Sequence, residues 1–424
     1  MKTNKLQLTN QIFVFTIILS SLILNFAKAQ TPVFEVQENA TVRTLQEDIM
    51  GFNGQNTLEL SSTWQTLNSN NINIYNLSPS NLRYPGGTVG NFWDWRKGWF
   101  LKKTEFTSNI NLPAAYKDRV NSTLGGDKIE HYFESCMRNN CTPLMNLNIM
   151  SSDMNYQLGS LYAGSAYGFK KMYIELGNEF YLGATENREV FPNVLDYTHK
   201  AIDWAKDLKS PNNSPYSSFK LAVVGAESEE NDPGRRRLWI ENLLHEVAPI
   251  NEINAVTLHL YLDSKVGDIA SNLLGTSSSS ICLNTLSASD ANTIFKAGIY
   301  NAFKNTNNVV HDEIEQIKNA GKETWITEFN MLNQDKNIAV NGSWFHGLFV
   351  TSMAFELMKD ESVAKLIPHT LVGNAIFSGL FSDNQGLNYS SESNYSDPYQ
   401  QACISSTITT NAYERSALGT AISP

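Results

Sequence analysis

The 424-residue chain has little of several things. It holds only 4 cysteines and 7 histidines, none in a Cys-x-x-Cys or His-x-x-x-His spacing, so the usual local signature of a zinc centre is missing. No Gly-rich turn is followed by Lys-Ser or Lys-Thr, which removes the phosphate-cradling loop. Positive charge is scarce: 32 Lys and Arg stand against 42 Asp and Glu, giving a net charge of -10 and a pI of about 5.3. That balance argues against a nucleic-acid partner. Beyond the first 26 residues no run is apolar enough to cross a bilayer, and no internal repeat is visible. No metal and no cofactor are therefore expected.

What is present is a core-forming composition, 42% hydrophobic and 11% aromatic, which rules out a disordered chain. The start is different in kind. Lys2 and Lys5 precede a mostly apolar segment, residues 12–26, and Ala27-Lys28-Ala29 is a small-x-small cleavage site. Ser20, Ser21 and Asn25 interrupt the segment, so a removable signal peptide over residues 1–29 is expected rather than an anchor, and with it secretion, extracellular or periplasmic. An extended segment, residues 30–47, and a catalytic unit, residues 48–424, complete the expected organisation. Oligomeric state is not legible.

From Asp48 onward short apolar runs alternate with helical stretches. Strands are expected over residues 50–53, 81–84, 143–148, 172–176, 221–225, 255–260, 324–327 and 364–369. Helices are expected over residues 127–138, 194–208, 237–247, 309–319, 344–359 and 410–421. Eight alternations favour a closed (β/α)8 barrel, a TIM barrel, over an open doubly wound sheet. Three connections are longer than such a barrel requires: residues 86–126, 263–293 and 373–409. Each follows a strand's C-terminal end, the face where barrel active sites form. An even cysteine count suits disulfides in a secreted chain, and the pairs Cys136–Cys141 and Cys282–Cys403 are expected, the first from closeness along the chain, the second from loops on one face.

Two carboxylates stand at strand ends. Glu179 closes IELGNE (residues 174–179), and Glu328 lies in WITEFN (residues 325–330). Cleaving a glycosidic bond needs such a pair, one protonated to assist the leaving oxygen and one ionised beneath the sugar. Their environments must differ for the two to hold opposite protonation states.

Together with LRYPGG (residues 82–87) and VTLHLY (residues 256–261), these motifs resemble clan A retaining glycoside hydrolases. Within that clan the chain resembles the family 51 α-L-arabinofuranosidase branch and the family 79 heparanase and β-glucuronidase branch. The resemblance implies a carbohydrate substrate, Glu179 as acid/base and Glu328 as nucleophile. It implies Asn178 as partner of the sugar 2-hydroxyl and Tyr261 as hydrogen-bond donor to the nucleophile. Members of these branches usually carry a β-sandwich, for which this sequence offers little beyond residues 33–43, so little or no accessory β-domain is expected.

Other residues follow from chemistry. Strand alternation puts His259 on the face of Tyr261, where it could neighbour Glu179. Arg83 would hold Glu328 ionised, and could equally pair with Glu175 inside the barrel. Asn146, Asn148 and His369 end other strands and could either touch sugar or satisfy local backbone. Trp93, Trp95 and Trp99 crowd one loop, where they could wall a sugar subsite or bury the loop. Arg235, Arg236 and Arg237 could read an acidic sugar or form a solvated helix start. The competing function is a carbohydrate-binding protein without turnover, against which the presence of both Glu residues speaks.

Overall fold

The computed structural model describes residues 44–54, 64, 74–100, 112–116, 128–227, 235–236, 238–277, 286–332, 340, 343–373, 380–381 and 415–422. The expected signal peptide, most of the extended segment after it, Arg237, Cys282 and Cys403 lie outside the described residues.

Eight parallel strands form the barrel in chain order: β1 Gly51–Asn53, β2 Asn81–Tyr84, β3 Thr142–Asn146, β4 Tyr173–Leu176, β5 Lys220–Val224, β6 Ala255–Leu262, β7 Glu323–Met331 and β8 Val363–Pro368. Parallel bridges Met50–Leu366 and Asn53–His369 bring β8 back to β1. The (β/α)8 barrel expected from the sequence is therefore the fold. Its strands are apolar runs such as Lys-Leu-Ala-Val-Val in β5, because a parallel sheet covered by helices is buried on both faces.

Side-chain alternation builds the interior in layers. Leu144, Tyr173, Ala222, Ala255, Trp325, Ala364 and Ile367 pack together near the strand starts as an apolar floor. Two residues further along three of these strands stand Asn146, Glu175 and Thr327, all polar and buried. The floor excludes water from below and leaves the polar layer facing the strand ends.

Helices cover the outside. Asn193 opens Val194–Lys209 with a capping box completed by Asp196, and Ser287 caps Ala288–Asn319. That last helix is much longer than the expected 309–319. Met154–Ala166, unforeseen in the sequence, is capped by Asp153 accepting from the Tyr156 N–H. The expected helix at 410–421 is described only over Ala417–Ala421. The connection after β2 contains a 3-10 turn, Thr88–Phe92, and a hairpin pairing Trp93–Asp94 with Trp99–Phe100. The one after β6 contains a helix, Val266–Leu274. Among the described residues no helix is long and apolar enough to cross a membrane.

The expected Cys136–Cys141 bridge is not formed; both are buried free thiols. Their backbones do meet, the Cys141 N–H donating to the Cys136 carbonyl at 2.8 Å across the helix end. The Cys141 Sγ, however, points away to donate to the Pro79 carbonyl at 2.9 Å. Closeness in sequence brought the main chains together and left the side chains facing different neighbours.

Candidate active site

Arg83, at the third position of β2, has no exposed surface and spends its guanidinium on three partners. Nε donates to Glu175 Oε2 at 2.6 Å, Nη1 to Glu328 Oε1 at 2.7 Å, and Nη2 to Asn178 Oδ1 at 2.7 Å. Two negative partners compensate the buried cation, which is the condition for burying one at all. The two roles expected of Arg83 coexist in one side chain.

Glu328 reaches this layer through an irregularity in β7. Strict alternation from Trp325 would point Thr327 inward and Glu328 outward. The pairing of β6 with β7 shifts between Leu258 and His259, so that Leu258 faces Ile326 and His259 faces Glu328. This bulge lets both side chains turn to the interior, Thr327 donating to Glu175 Oε1 at 2.8 Å and Glu328 meeting Arg83. The second Glu328 oxygen accepts from the Tyr261 hydroxyl at 2.6 Å. Burial acts to raise the pKa of Glu328, but His259, His369, Arg83 and the Tyr261 hydroxyl overcome it and hold the group well below the ordinary carboxylate range. Arg83 is the dependable part of that field, being charged at every working pH. His369 is pushed toward its neutral form by its own burial.

Glu179 follows β4 through a sharp turn. Gly177 has φ 97° and Glu179 itself has φ 49°, a left-handed conformation that costs a non-glycine residue about 1 kcal/mol or more. The turn is held by Asn91, whose side chain accepts from the Asn178 N–H at 3.1 Å and donates to the Asn178 carbonyl at 2.8 Å. Glu179 Oε1 lies 2.9 Å from His259 Nδ1 and accepts from the Tyr181 hydroxyl at 3.3 Å; Oε2 accepts from Asn178 Nδ2 at 3.2 Å. Unlike Glu328, the Glu179 side chain is 17% exposed. The two carboxylates therefore stand in different environments.

The network also assigns the histidine protons. Thr327 spends its single proton on Glu175, so its oxygen accepts from His259 Nε2 at 3.1 Å. Nε2 therefore carries hydrogen, and one proton lies between Nδ1 and Glu179 Oε1. Burial lowers the proton affinity of His259, but Glu328 and Glu179 more than reverse this and raise it above the ordinary imidazole value.

One oxygen each of Glu179 and Glu328 and a ring nitrogen of His259 lie within 4.8 Å of one another. Two carboxylates and an imidazole could in principle ligate a cation, but the Arg83 guanidinium already occupies Glu328 Oε1. The arrangement suits proton transfer and attack at a shared carbon.

The other expected residues are placed as follows. Asn146 donates to Glu175 Oε2 and to the Gly177 carbonyl, supporting the turn. Asn148 is buried and donates to the Trp93 carbonyl and Ser151 hydroxyl, so it braces loops instead of facing the carboxylates. Trp93 is 2% exposed, donates to the Tyr84 hydroxyl and packs against Trp99 and Phe100. Of the two roles open to it, wall of a sugar subsite or burial of the loop, Trp93 takes the second, because its faces are already covered. Trp95 is partly buried, with Nε1 donating to the Tyr156 carbonyl and the Arg96 guanidinium 5.1 Å from its ring. His369 Nδ1 accepts from Asn53 Nδ2 at 2.9 Å and stands 3.8 Å from Glu328 Oε2. Arg235 donates to the Phe180 and Pro192 carbonyls, and Arg236 pairs with Glu227. Asn91, Thr327 and Glu227 were not singled out in the sequence; Asn91 and Glu227 follow strand ends on the same face as the motifs.

No family model matches the chain, and no curated protein matches it. Among solved structures it is similar to a family 51 α-L-arabinofuranosidase from Bifidobacterium longum, at 12% identity and a TM-score of 0.55, covering 87% of this chain and 75% of that one. It is similar to the family 51 arabinofuranosidase from Xanthomonas axonopodis pv. citri at 13% identity and a TM-score of 0.50, covering 80% and 69%. An α-L-arabinofuranosidase from Thermotoga maritima matches at 16% identity and a TM-score of 0.47; the chain covers 66% of that protein's length. The likeness is one of fold, and its neighbours are TIM-barrel glycosidases.

Proposed function

We propose that the chain is a secreted retaining glycoside hydrolase that cleaves a polysaccharide or oligosaccharide by double displacement. The observation that carries the reading is the pair Glu179 and Glu328 at the strand ends, one oxygen of each within 4.8 Å of the other, Glu328 held by Arg83 and Tyr261 and Glu179 by His259. Retaining enzymes hold their carboxylates roughly 5–5.5 Å apart, leaving no room for an intervening water.

In the first step a Glu328 oxygen bonds to the anomeric carbon as the bond to the leaving oxygen breaks. The proton held between Glu179 and His259 passes to that leaving oxygen. In the second step Glu179 takes a proton from water, the water oxygen bonds to the anomeric carbon, and Glu328 is released. Asn178 Oδ1 is fixed by Arg83, so the amide presents Nδ2 toward Glu179 and the sugar 2-hydroxyl beside it. Tyr261 and Arg83 stabilise Glu328 as the leaving carboxylate of the second step.

The test is hydrolysis of a panel of aryl arabinofuranosides, xylosides, glucuronides and galactosides, with the polysaccharides containing them, by wild type, Glu179→Gln and Glu328→Gln. Loss of turnover in both variants is expected. A wild type that binds glycan without turning any over would move the chain to the carbohydrate-binding class. Secretion rests on the basic and apolar start; N-terminal sequencing of exported protein should begin at Gln30, and a retained residue 1–29 would count against it.

A further inference from the structure

A further carboxylate, Glu227, follows β5 on the same face, and the double displacement above gives it no part. Glu227 pairs with Arg236. The guanidinium of Arg236 stands 4.9 Å from the centre of the Tyr181 ring, and the Tyr181 hydroxyl donates to Glu179 Oε1. A continuous path thus runs from Glu227 through Arg236 and Tyr181 to the Glu179–His259 pair. The Glu227 side chain is only 13% exposed, and among the described residues its Oε2 has no hydrogen-bond partner. A buried carboxylate with one unsatisfied oxygen is costly to keep for packing alone.

We propose that Glu227, held by Arg236, is a positioning residue that strengthens the hold of Glu179 and His259 on their shared proton. This rests on reading Glu179 as the acid/base. The charged and titratable groups facing that proton are His259 and Tyr261 from β6, Glu175 from β4 with Oε1 4.0 Å from His259 Nε2, Glu328 from β7, Arg83 from β2, His369 after β8, Tyr181 from the same turn, and the Glu227–Arg236 pair after β5. Of the carboxylates in this set, Glu328 and Glu175 are both bound by Arg83. Glu227 lies outside that hold and changes charge in the working range: burial raises it, against the pull of Arg236, to about 7. Below that value it is neutral and silent. Above it the new negative charge opposes loss of the shared proton, so the acid form survives further into alkaline pH.

The signs are testable. Glu227→Gln removes the late-arriving negative charge and leaves the positive charge of Arg236 beside Tyr181. The alkaline limb of the pH profile should then move down by about one pH unit, the size of a single charge interaction at this range. The acidic limb, set by Glu328, should stay in place. The double variant Glu227→Gln/Arg236→Gln removes both charges and should move the alkaline limb back toward wild type. Long-range 1H–15N spectra of the His259 ring read the same midpoint without substrate, and should show the same fall and recovery while Nε2 keeps its hydrogen. A midpoint unmoved in Glu227→Gln overturns the inference, as does a loss of activity equal at every pH, which is what packing alone would give. The underlying reading is tested separately with Glu179→Gln, which should lose activity on 4-methylphenyl glycosides far more than on 2,4-dinitrophenyl glycosides of the sugar that the wild type cleaves. If Glu179→Gln behaves so and Glu227→Gln does not shift the midpoint, the inference fails alone. If Glu179→Gln hydrolyses both as wild type does, the acid/base reading fails and takes the inference with it.

Discussion

Arg83 Nη1 sits 2.7 Å from Glu328 Oε1, with neither group more than 5% exposed. A carboxylate so placed is ionised at neutral pH, and the arginine is held in turn by Glu175 at 2.6 Å. Glu328, its counter-ion and the counter-ion's second partner form one buried unit built from β2, β4 and β7.

Replacing Arg83 by Met should therefore do more than slow the reaction. It strands two buried carboxylates, for which a loss of about 3–5 kcal/mol of folding stability is expected, measured by urea unfolding at neutral pH. Glu328 is held below its ordinary 4.5, so its contribution to stability is present above that value and is lost as pH falls toward the folded value. Removing Arg83 shrinks the contribution, and the stability difference between variant and wild type should narrow on acidification. A constant difference would mean that Glu328 is not the group affected.

Tyr261→Phe isolates one hydrogen bond to the same carboxylate, the 2.6 Å contact to Oε2. Hydrogen bonds to charged groups are worth about 1.5–3 kcal/mol, so turnover should fall roughly ten- to hundredfold with the acidic limb moved upward. Thermal unfolding followed by circular dichroism should change little. A variant with wild-type kinetics would remove Tyr261 from the site.

Asn91 holds the turn that carries Glu179 without touching a reacting atom. Asn91→Ala deletes both bonds to Asn178 and should cost about 1–3 kcal/mol of stability. It should also depress activity most on glycosides whose leaving group needs the acid. Equal losses on activated and unactivated aryl glycosides would show that the turn does not position Glu179.

Cys136 and Cys141 should behave as shielded thiols. Burial pushes Cys141 up to about 12 and Cys136 well above the ordinary thiol value. Neither should react with iodoacetamide in the folded protein, and both should be alkylated in denaturant without reductant, as peptide mapping will read. Resistance to alkylation in denaturant would restore the disulfide.

The barrel was legible because strands buried on both faces leave continuous apolar runs, as at residues 221–224, and because IELGNE and WITEFN end in polar residues where such runs meet the open face. His259 followed from alternation and Arg83 from the chemistry of a buried carboxylate, whereas Tyr261 came from the resemblance to clan A glycosidases. The bulge that turns Glu328 inward did not, since a shift of register leaves no mark in the residue types of either strand. Helix Met154–Ala166 escaped because it lacks a distinct apolar face, its buried positions including Gln157, Ser160 and Gly164. Trp93 was left between two roles because an indole that walls a sugar and one that buries a loop are the same residue in the sequence. Only the Tyr84 hydroxyl and the Trp99 and Phe100 rings around it distinguish them.

The most direct test is to trap the covalent intermediate. Once the panel names the sugar, the wild type is incubated with its 2-deoxy-2-fluoro aryl glycoside and digested for mass spectrometry, while the anomeric configuration of the first-formed product is followed by NMR. The expected result is a glycosyl adduct on the peptide containing Glu328, absent in Glu328→Gln, with retained configuration. An inverted product, or an adduct on another residue, would contradict the account.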